Sequence, residues 1–105
     1  MTKFAFIYRG GNPFKTPEEG KAHMTKWRVW RDGLGSAFVY PGMPFSNAVT
    51  VGAGGVDEGS GEVPLSGVSI VEASDLEAAQ NMAKACPHLD IGGDIIVAQG
   101  MDMEM

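Results

Sequence analysis

The sequence predicts one α+β domain of the ferredoxin-like type, with the element order βαββαβ. Short apolar runs that are typical of strands alternate with two longer segments that begin at helix-capping residues. This order matches a split βαβ unit, in which both helices lie on one face of an antiparallel sheet. At 105 residues the chain is long enough for one domain. We place that domain at 1–100 and expect a flexible tail at 101–105.

The strand-like segments are runs of apolar and β-branched residues bounded by glycine, proline or asparagine. They lie at 3–9, 38–40, 48–51, 65–72 and 94–99. The second and third runs are either two strands or one bent strand. Between 52 and 61 the chain is rich in glycine and acidic residues, which predicts a flexible loop. This loop is either a lid over a pocket or a mobile hairpin connection.

Both helices begin at capping motifs. The residues Thr-Pro-Glu-Glu at 16–19 form a capping box with proline at the first helical position, and this helix extends to about Leu34 before Gly35. The residues Ser-Asp-Leu-Glu at 74–77 predict a second capping box, and that helix ends near 86–87.

One face of the first helix carries His23, Trp27, Trp30 and Leu34, at spacings of four, three and four residues. The three large apolar side chains predict that this face is buried. His23 is either a general base in a pocket or a buried histidine that is bonded to a backbone carbonyl. We expect Trp27 to pack in the core, whereas Trp30 either packs or forms an aromatic wall for a flat ligand.

Both faces of the predicted sheet are apolar. The first strand is aromatic at positions 4, 6 and 8 and aliphatic at Ala5 and Ile7, and the last strand is apolar on both sides over 95–98. Two helices cover only one face, and an apolar face left in water would be a large exposed patch. We therefore predict a homodimer in which the two sheets pack against each other.

Charge and composition exclude several classes of protein. The net charge is −5 and the pI is about 4.8, which does not favour nucleic-acid binding. Positive charge is concentrated in the first 40 residues and negative charge in the rest, which favours attraction within the fold or across a dimer. No apolar run approaches the ~20 residues of a membrane helix. The single Cys86 excludes an internal disulfide and no signal-peptide pattern is present, so we expect a cytoplasmic protein.

The other candidate ligand-binding residues lie at strand and helix ends. Tyr8 and Arg9 close the first strand, where a guanidinium suits a carboxylate or phenolate ligand, although a solvated or dimer-interface charge is the alternative. Cys86 and His88 follow the second helix. With Asp90 they lack the paired ligands of a metal site, so we expect no metal and no cofactor. Cys86 is a candidate ligand contact, but a helix C-terminus disfavours a thiolate, which favours packing as its role.

Several motifs match one known family across nearly the whole chain. They are Phe-Ala-Phe-Ile-Tyr-Arg-Gly-Gly at 4–11, Thr-Pro-Glu-Glu at 16–19, Ala-His-Met at 22–24 with the two tryptophans, Cys-Pro-His-Leu at 86–89 and Gly-Gly at 92–93. On these motifs the chain resembles the YCII-related family, and within it the DGPF-type branch. The resemblance implies a dimeric α/β barrel with a cleft that His23 faces. A few relatives act on small, often aromatic molecules.

Two departures from the family pattern bear on function. The segment Gly-Val-Asp-Glu-Gly-Ser-Gly-Glu at 55–62 lacks the Asp-Gly-Pro-Phe turn, and Cys86 stands where some relatives have an aspartate as the proposed partner of the first-helix histidine. The resemblance implies cofactor-free acid/base chemistry, such as a lyase reaction, by His23 on a small aromatic or acidic metabolite. Both departures favour the alternative, a non-catalytic ligand-binding or regulatory module. Fold analogy adds a third hypothesis, a cofactor-independent monooxygenase.

Overall fold

The computed structural model describes residues 1–102, and within them it has six strands and two α-helices. Short 3₁₀ turns at Gly35–Ala37 and Pro87–Ile91 follow the two helices. The elements are β1 Thr2–Arg9, α1 Pro17–Leu34, β2 Phe38–Pro44, β3 Val49–Gly52, β4 Gly55–Glu58, β5 Leu65–Ala73, α2 Leu76–Lys84 and β6 Asp94–Gln99.

The main sheet has four antiparallel strands in the order β2-β5-β1-β6, which is the ferredoxin-like arrangement that the sequence predicts. The alternation of β1 turns Phe4 and Phe6 toward the two helices. There they form one buried cluster with Val71 of β5, Trp30 of α1 and Ala79 of α2. The apolar face of α1 and the aromatic side of β1 therefore pack against each other in one core.

The segment predicted as a flexible loop, 52–61, contains the turn and the second strand of a β-hairpin, and the first strand of that hairpin agrees with the strand predicted at 48–51. Strand β3 pairs with β4 from Val49 opposite Glu58 to Gly52 opposite Gly55, and the two strands form a sheet of their own. The loop prediction is wrong for Gly55–Glu58 because glycine and acidic residues at the turn and ends mask a short alternating pattern, in which Val51 faces Val56. Of the two alternatives for this loop, the hairpin connection agrees with the structure. The open question about β2 and β3 is also resolved, since they are separate strands in separate sheets.

The N-cap of the first helix is the residue that the sequence predicts, whereas the N-cap of the second helix lies one residue later than predicted. The Thr16 side chain accepts a hydrogen bond from the Glu19 N–H at 3.2 Å, as the first capping box predicts. The second helix is capped by Asp75 and not by Ser74, because the Asp75 carboxylate accepts from the Ala78 N–H at 2.8 Å. No helix within residues 1–102 is long and apolar enough to cross a membrane.

The second face of the main sheet has no helix against it. We call it the uncovered sheet face, and β1, β5 and β6 contribute to it Ala5, Ile7, Val68, Ile70, Ile96 and Ala98. Ile96 is 41% exposed. Of the predicted tail, Met101 and Asp102 have no regular secondary structure, and 103–105 lie outside the described residues.

Candidate functional site

A cleft of about 330 Å³ lies between α1 and the β2–β5 edge of the sheet. Its aromatic walls are Tyr8 from β1, Trp27 from α1 and Phe38 from β2. The exposed guanidinium side chains of Arg28 and Arg31 also line it. The volume is at the lower end of the range of small-molecule sites, and an aromatic pocket bordered by cations suits a flat anionic ligand.

Tyr8 is held at the inner wall of the cleft by a short hydrogen-bond chain. Its hydroxyl donates to Ser69 Oγ at 3.0 Å, and the Ser69 hydroxyl donates to the Pro41 carbonyl at 2.9 Å. Burial raises the pKa of Tyr8 well above its ordinary value, with the Ser69 hydrogen bond opposing the shift. Tyr8 is therefore a neutral phenol at physiological pH, fixed in place by two strands.

His88 lines the same cleft and is only 4% exposed. Its Nε2 lies 2.8 Å from the Arg9 carbonyl oxygen. A carbonyl only accepts, so Nε2 of His88 carries a proton and donates it to this oxygen. Gly93 leaves the space that the ring occupies, since a Cβ there would overlap with Nε2. The glycine pair at 92–93 and the histidine at 88 therefore form one structural unit.

His23 is buried beside the cleft and does not line it. Its Nε2 accepts a hydrogen bond from the Trp27 indole N–H at 2.7 Å, and the Phe14 ring lies 5.0 Å away between centroids. Burial lowers the pKa of His23, while the charge of Asp90 opposes that shift. An indole N–H only donates, so the bond also favours the neutral ring. His23 contacts the cleft through Trp27, and its catalytic role remains a prediction.

Three other residues predicted to bind a ligand, Arg9, Trp30 and Cys86, do not line the cleft. Arg9 and Trp30 bond to other protein groups, and Cys86 is buried. Arg9 binds Asp94 through two hydrogen bonds of 2.8 Å, which also lowers the pKa of that carboxyl. The Trp30 indole donates to the Met82 carbonyl at 3.0 Å within the core. Cys86 is buried, and burial raises the pKa of its thiol to about 12, so it is not a thiolate at neutral pH.

The cleft also contains residues that the sequence did not single out. Ser69, Phe38 and Met43 belong to strands β5 and β2. Ser69 had a usable signal, because strand alternation places it on the same side as Val71 and Ala73. Phe38 and Met43 had none, since the register of β2 shifts twice along β5. Within residues 1–102, no group of three His, Cys, Asp or Glu side chains is arranged to hold a metal ion.

The chain is similar to known proteins in structure but not in sequence. No family model matches the chain, and no curated protein matches its sequence. Among solved structures, the chain is similar to 5-chloro-2-hydroxyhydroquinone dehydrochlorinase (TftG) from Burkholderia phenoliruptrix AC1100, in complex with 2,5-dihydroxybenzoquinone. The TM-score is 0.56 at 18% identity, over 93% of each chain. This likeness supports the small α+β fold with an antiparallel sheet and two helices.

Proposed function

We propose that the protein is a homodimeric member of the YCII-related family that binds a small, planar aromatic anion in the cleft of each subunit. The observation that carries this proposal is the combination of aromatic walls with two exposed arginines, Arg28 and Arg31, around about 330 Å³. A ligand with one aromatic ring fills such a space, and its acidic group pairs with a guanidinium. The 2,5-dihydroxybenzoquinone in the TftG structure is a planar six-membered ring of the same size, which supports a ligand of this shape.

The uncovered sheet face supports the proposed dimer. Ile7 of β1 faces Val68 of β5 and Ile96 of β6, so the aliphatic side chains form a continuous patch across three strands. A second copy that packs the same face removes both patches from water at once, which gives the dimeric barrel implied by the family resemblance.

The proposed chemistry is cofactor-free proton transfer by a neutral imidazole. His23 has a lowered pKa and is therefore neutral at physiological pH. Because Nε2 accepts from the Trp27 indole, Nδ1 carries the ring proton and is the donor, and the ring acts as a base at Nε2 only when the indole moves away from it. A non-catalytic binding module is the second candidate. One observation favours it: Nε2 of His23 and Nε2 of His88 are both engaged by protein partners, Trp27 and the Arg9 carbonyl.

Titration calorimetry with two matched probes tests the binding proposal. Salicylate carries a carboxylate on an aromatic ring, and salicylamide replaces that carboxylate with a neutral group. We expect salicylate to bind at least ten times more tightly, because only the anion pairs with Arg28 and Arg31. Replacing both arginines (Arg28→Gln and Arg31→Gln) should remove that preference, whereas Lys84→Gln on α2, which does not line the cleft, should keep it.

Equal affinity for the two probes in the unmodified protein would contradict an anion site. If the double arginine variant retains the full preference for salicylate, the anion binds outside this cleft. If the preference is present and His23→Gln leaves binding unchanged, turnover of a bound aromatic acid by the unmodified protein but not by His23→Gln supports the proposed chemistry. Binding without turnover in either protein supports the non-catalytic module.

A further inference from the structure

We propose that the inner wall of the cleft accepts a hydrogen bond from the ligand, and so selects an aromatic acid whose ring carries a hydroxyl group away from the acidic group. The inner wall consists of Tyr8 and Ser69. Tyr8 Oη is the atom that contacts the ligand, and Ser69 is a positioning residue that makes Tyr8 an acceptor. The inference rests on the aromatic-anion site proposed above and adds a requirement at the other end of the ligand.

The direction of the hydrogen bonds along the inner wall follows from the last member of the chain. The Pro41 carbonyl has no proton, so the Ser69 hydroxyl is the donor in the 2.9 Å bond that joins them. A hydroxyl has one proton, so the Tyr8 hydroxyl must donate in its 3.0 Å bond to Ser69 Oγ. Burial raises the pKa of Tyr8, which keeps that proton in place. Tyr8 Oη therefore offers a ligand lone pairs and no proton.

Other neutral side chains that line the cleft also donate to protein acceptors. The Ser66 hydroxyl donates to the Gly10 carbonyl, and the Trp27 indole N–H and His88 Nε2 donate to the partners described above. These protons are not available to a ligand. The cleft therefore recognises an anionic group through its arginines, and its neutral hydroxyl groups act as acceptors.

Burial separates the cationic part of the cleft from the accepting part. Arg28 and Arg31 are exposed, whereas Tyr8 and Ser69 are only 5% and 1% exposed. An acidic group that pairs with the arginines lies at the open side, so the opposite end of the ring meets the inner wall. A ring hydroxyl at that end donates to Tyr8 Oη, whereas a group without a proton leaves this buried oxygen unpaired. The expected ligand is a benzoate with a hydroxyl group at the meta or para position.

Calorimetry with matched pairs of benzoates tests the role of Tyr8. The probes are 3- and 4-hydroxybenzoate, each compared with the fluorobenzoate of the same substitution, because fluorine is close to a hydroxyl group in size and has no proton. In at least one pair the hydroxybenzoate should bind about fivefold more tightly. Tyr8→Phe should remove this preference without weakening the binding of the fluorobenzoate, which shows that the cleft is intact. Tyr40→Phe is the control and should keep the preference, because Tyr40 is 40% exposed and does not line the cleft.

Ser69→Ala tests the positioning role of Ser69. Without the Ser69 oxygen the Tyr8 hydroxyl directs its proton to the ligand, so the inner wall donates. The acetylbenzoate of the preferred substitution has a carbonyl group that only accepts. Its affinity relative to the hydroxybenzoate should therefore rise about fivefold over the same ratio in the unmodified protein. If Ser69 only supports the structure of the wall, both ligands weaken by the same factor and the ratio stays constant, which would contradict the positioning role.

The remaining outcomes separate the failure of this inference from the failure of the proposed function. If hydroxybenzoate and fluorobenzoate bind equally well in both pairs, and the double arginine variant weakens both, the anion site stands and the accepting inner wall is wrong. If Tyr8→Phe keeps the preference for the hydroxybenzoate, Tyr8 Oη is not the contact atom and the inference is overturned. If no benzoate binds to the unmodified protein, the inference and the proposed function fail together.

Discussion

Replacing Gly93 with alanine should lower the free energy of unfolding by about 3 kcal/mol, as the sum of overpacking and a lost buried hydrogen bond. Gly93 does not have a positive φ, so the backbone tolerates alanine and the effect comes from the added methyl group. That group would occupy the position of His88 Nε2. The ring must leave its site, which breaks its bond to the Arg9 carbonyl and alters one wall of the cleft.

Urea denaturation measures this loss, and Gly33→Ala is the matched control. A Cβ at Gly33 meets nothing within 4 Å, and the residue lies within α1. Alanine there should raise the free energy of unfolding by about 0.5–1 kcal/mol, the difference in helix propensity. Gly93→Ala and Gly33→Ala should therefore shift the denaturation midpoint in opposite directions. A Gly93→Ala protein as stable as the unmodified one would show that His88 does not occupy the described position.

Placing a lysine on the uncovered sheet face should convert the proposed dimer into a monomer. Ile96 is 41% exposed in the single chain, so Ile96→Lys leaves the fold intact and the new ammonium group in water. In a dimer packed sheet to sheet the same charge is buried against Ile7 and its neighbours without a partner. We expect the dimer dissociation constant to rise by at least a hundredfold in sedimentation equilibrium.

Leu76→Lys is the control for this experiment. Leu76 is 47% exposed, which is close to Ile96, but it lies on α2, on the helix side of the sheet. A lysine at this position should leave the dimer dissociation constant unchanged. Dissociation by Leu76→Lys, or an Ile96→Lys protein that remains a dimer, would mean that the subunits associate through a different face.

The core of the fold could be predicted from the sequence because it depends on local periodicity. The spacing of His23, Trp27 and Trp30 placed them on one helical face, and alternation in β1 placed Phe4 and Phe6 opposite that face. Both patterns are set by backbone geometry and need no knowledge of distant residues. Tyr8 and His88 were also identified as site residues, from their positions at element ends.

The partners of polar side chains could not be predicted in the same way. The Trp27 indole bonds to His23, and the Arg9 guanidinium bonds to Asp94 from 85 residues away. Such contacts depend on rotamers and on strand register, and the two register shifts between β2 and β5 have no local sequence signal. Strand β4 was missed because the glycines around it are as typical of loops as of turns within a hairpin.

Binding of an aromatic anion in this cleft would be reported by the indole resonances of the two tryptophans. Trp27 lines the cleft, whereas Trp30 does not line it and its indole donates to the Met82 carbonyl in the core. In a ¹⁵N–¹H titration with salicylate, the Trp27 indole signal should move and saturate while the Trp30 indole signal stays in place. If neither signal moves at millimolar salicylate, or if only the Trp30 signal moves, the cleft is not the ligand site and the proposed function is wrong.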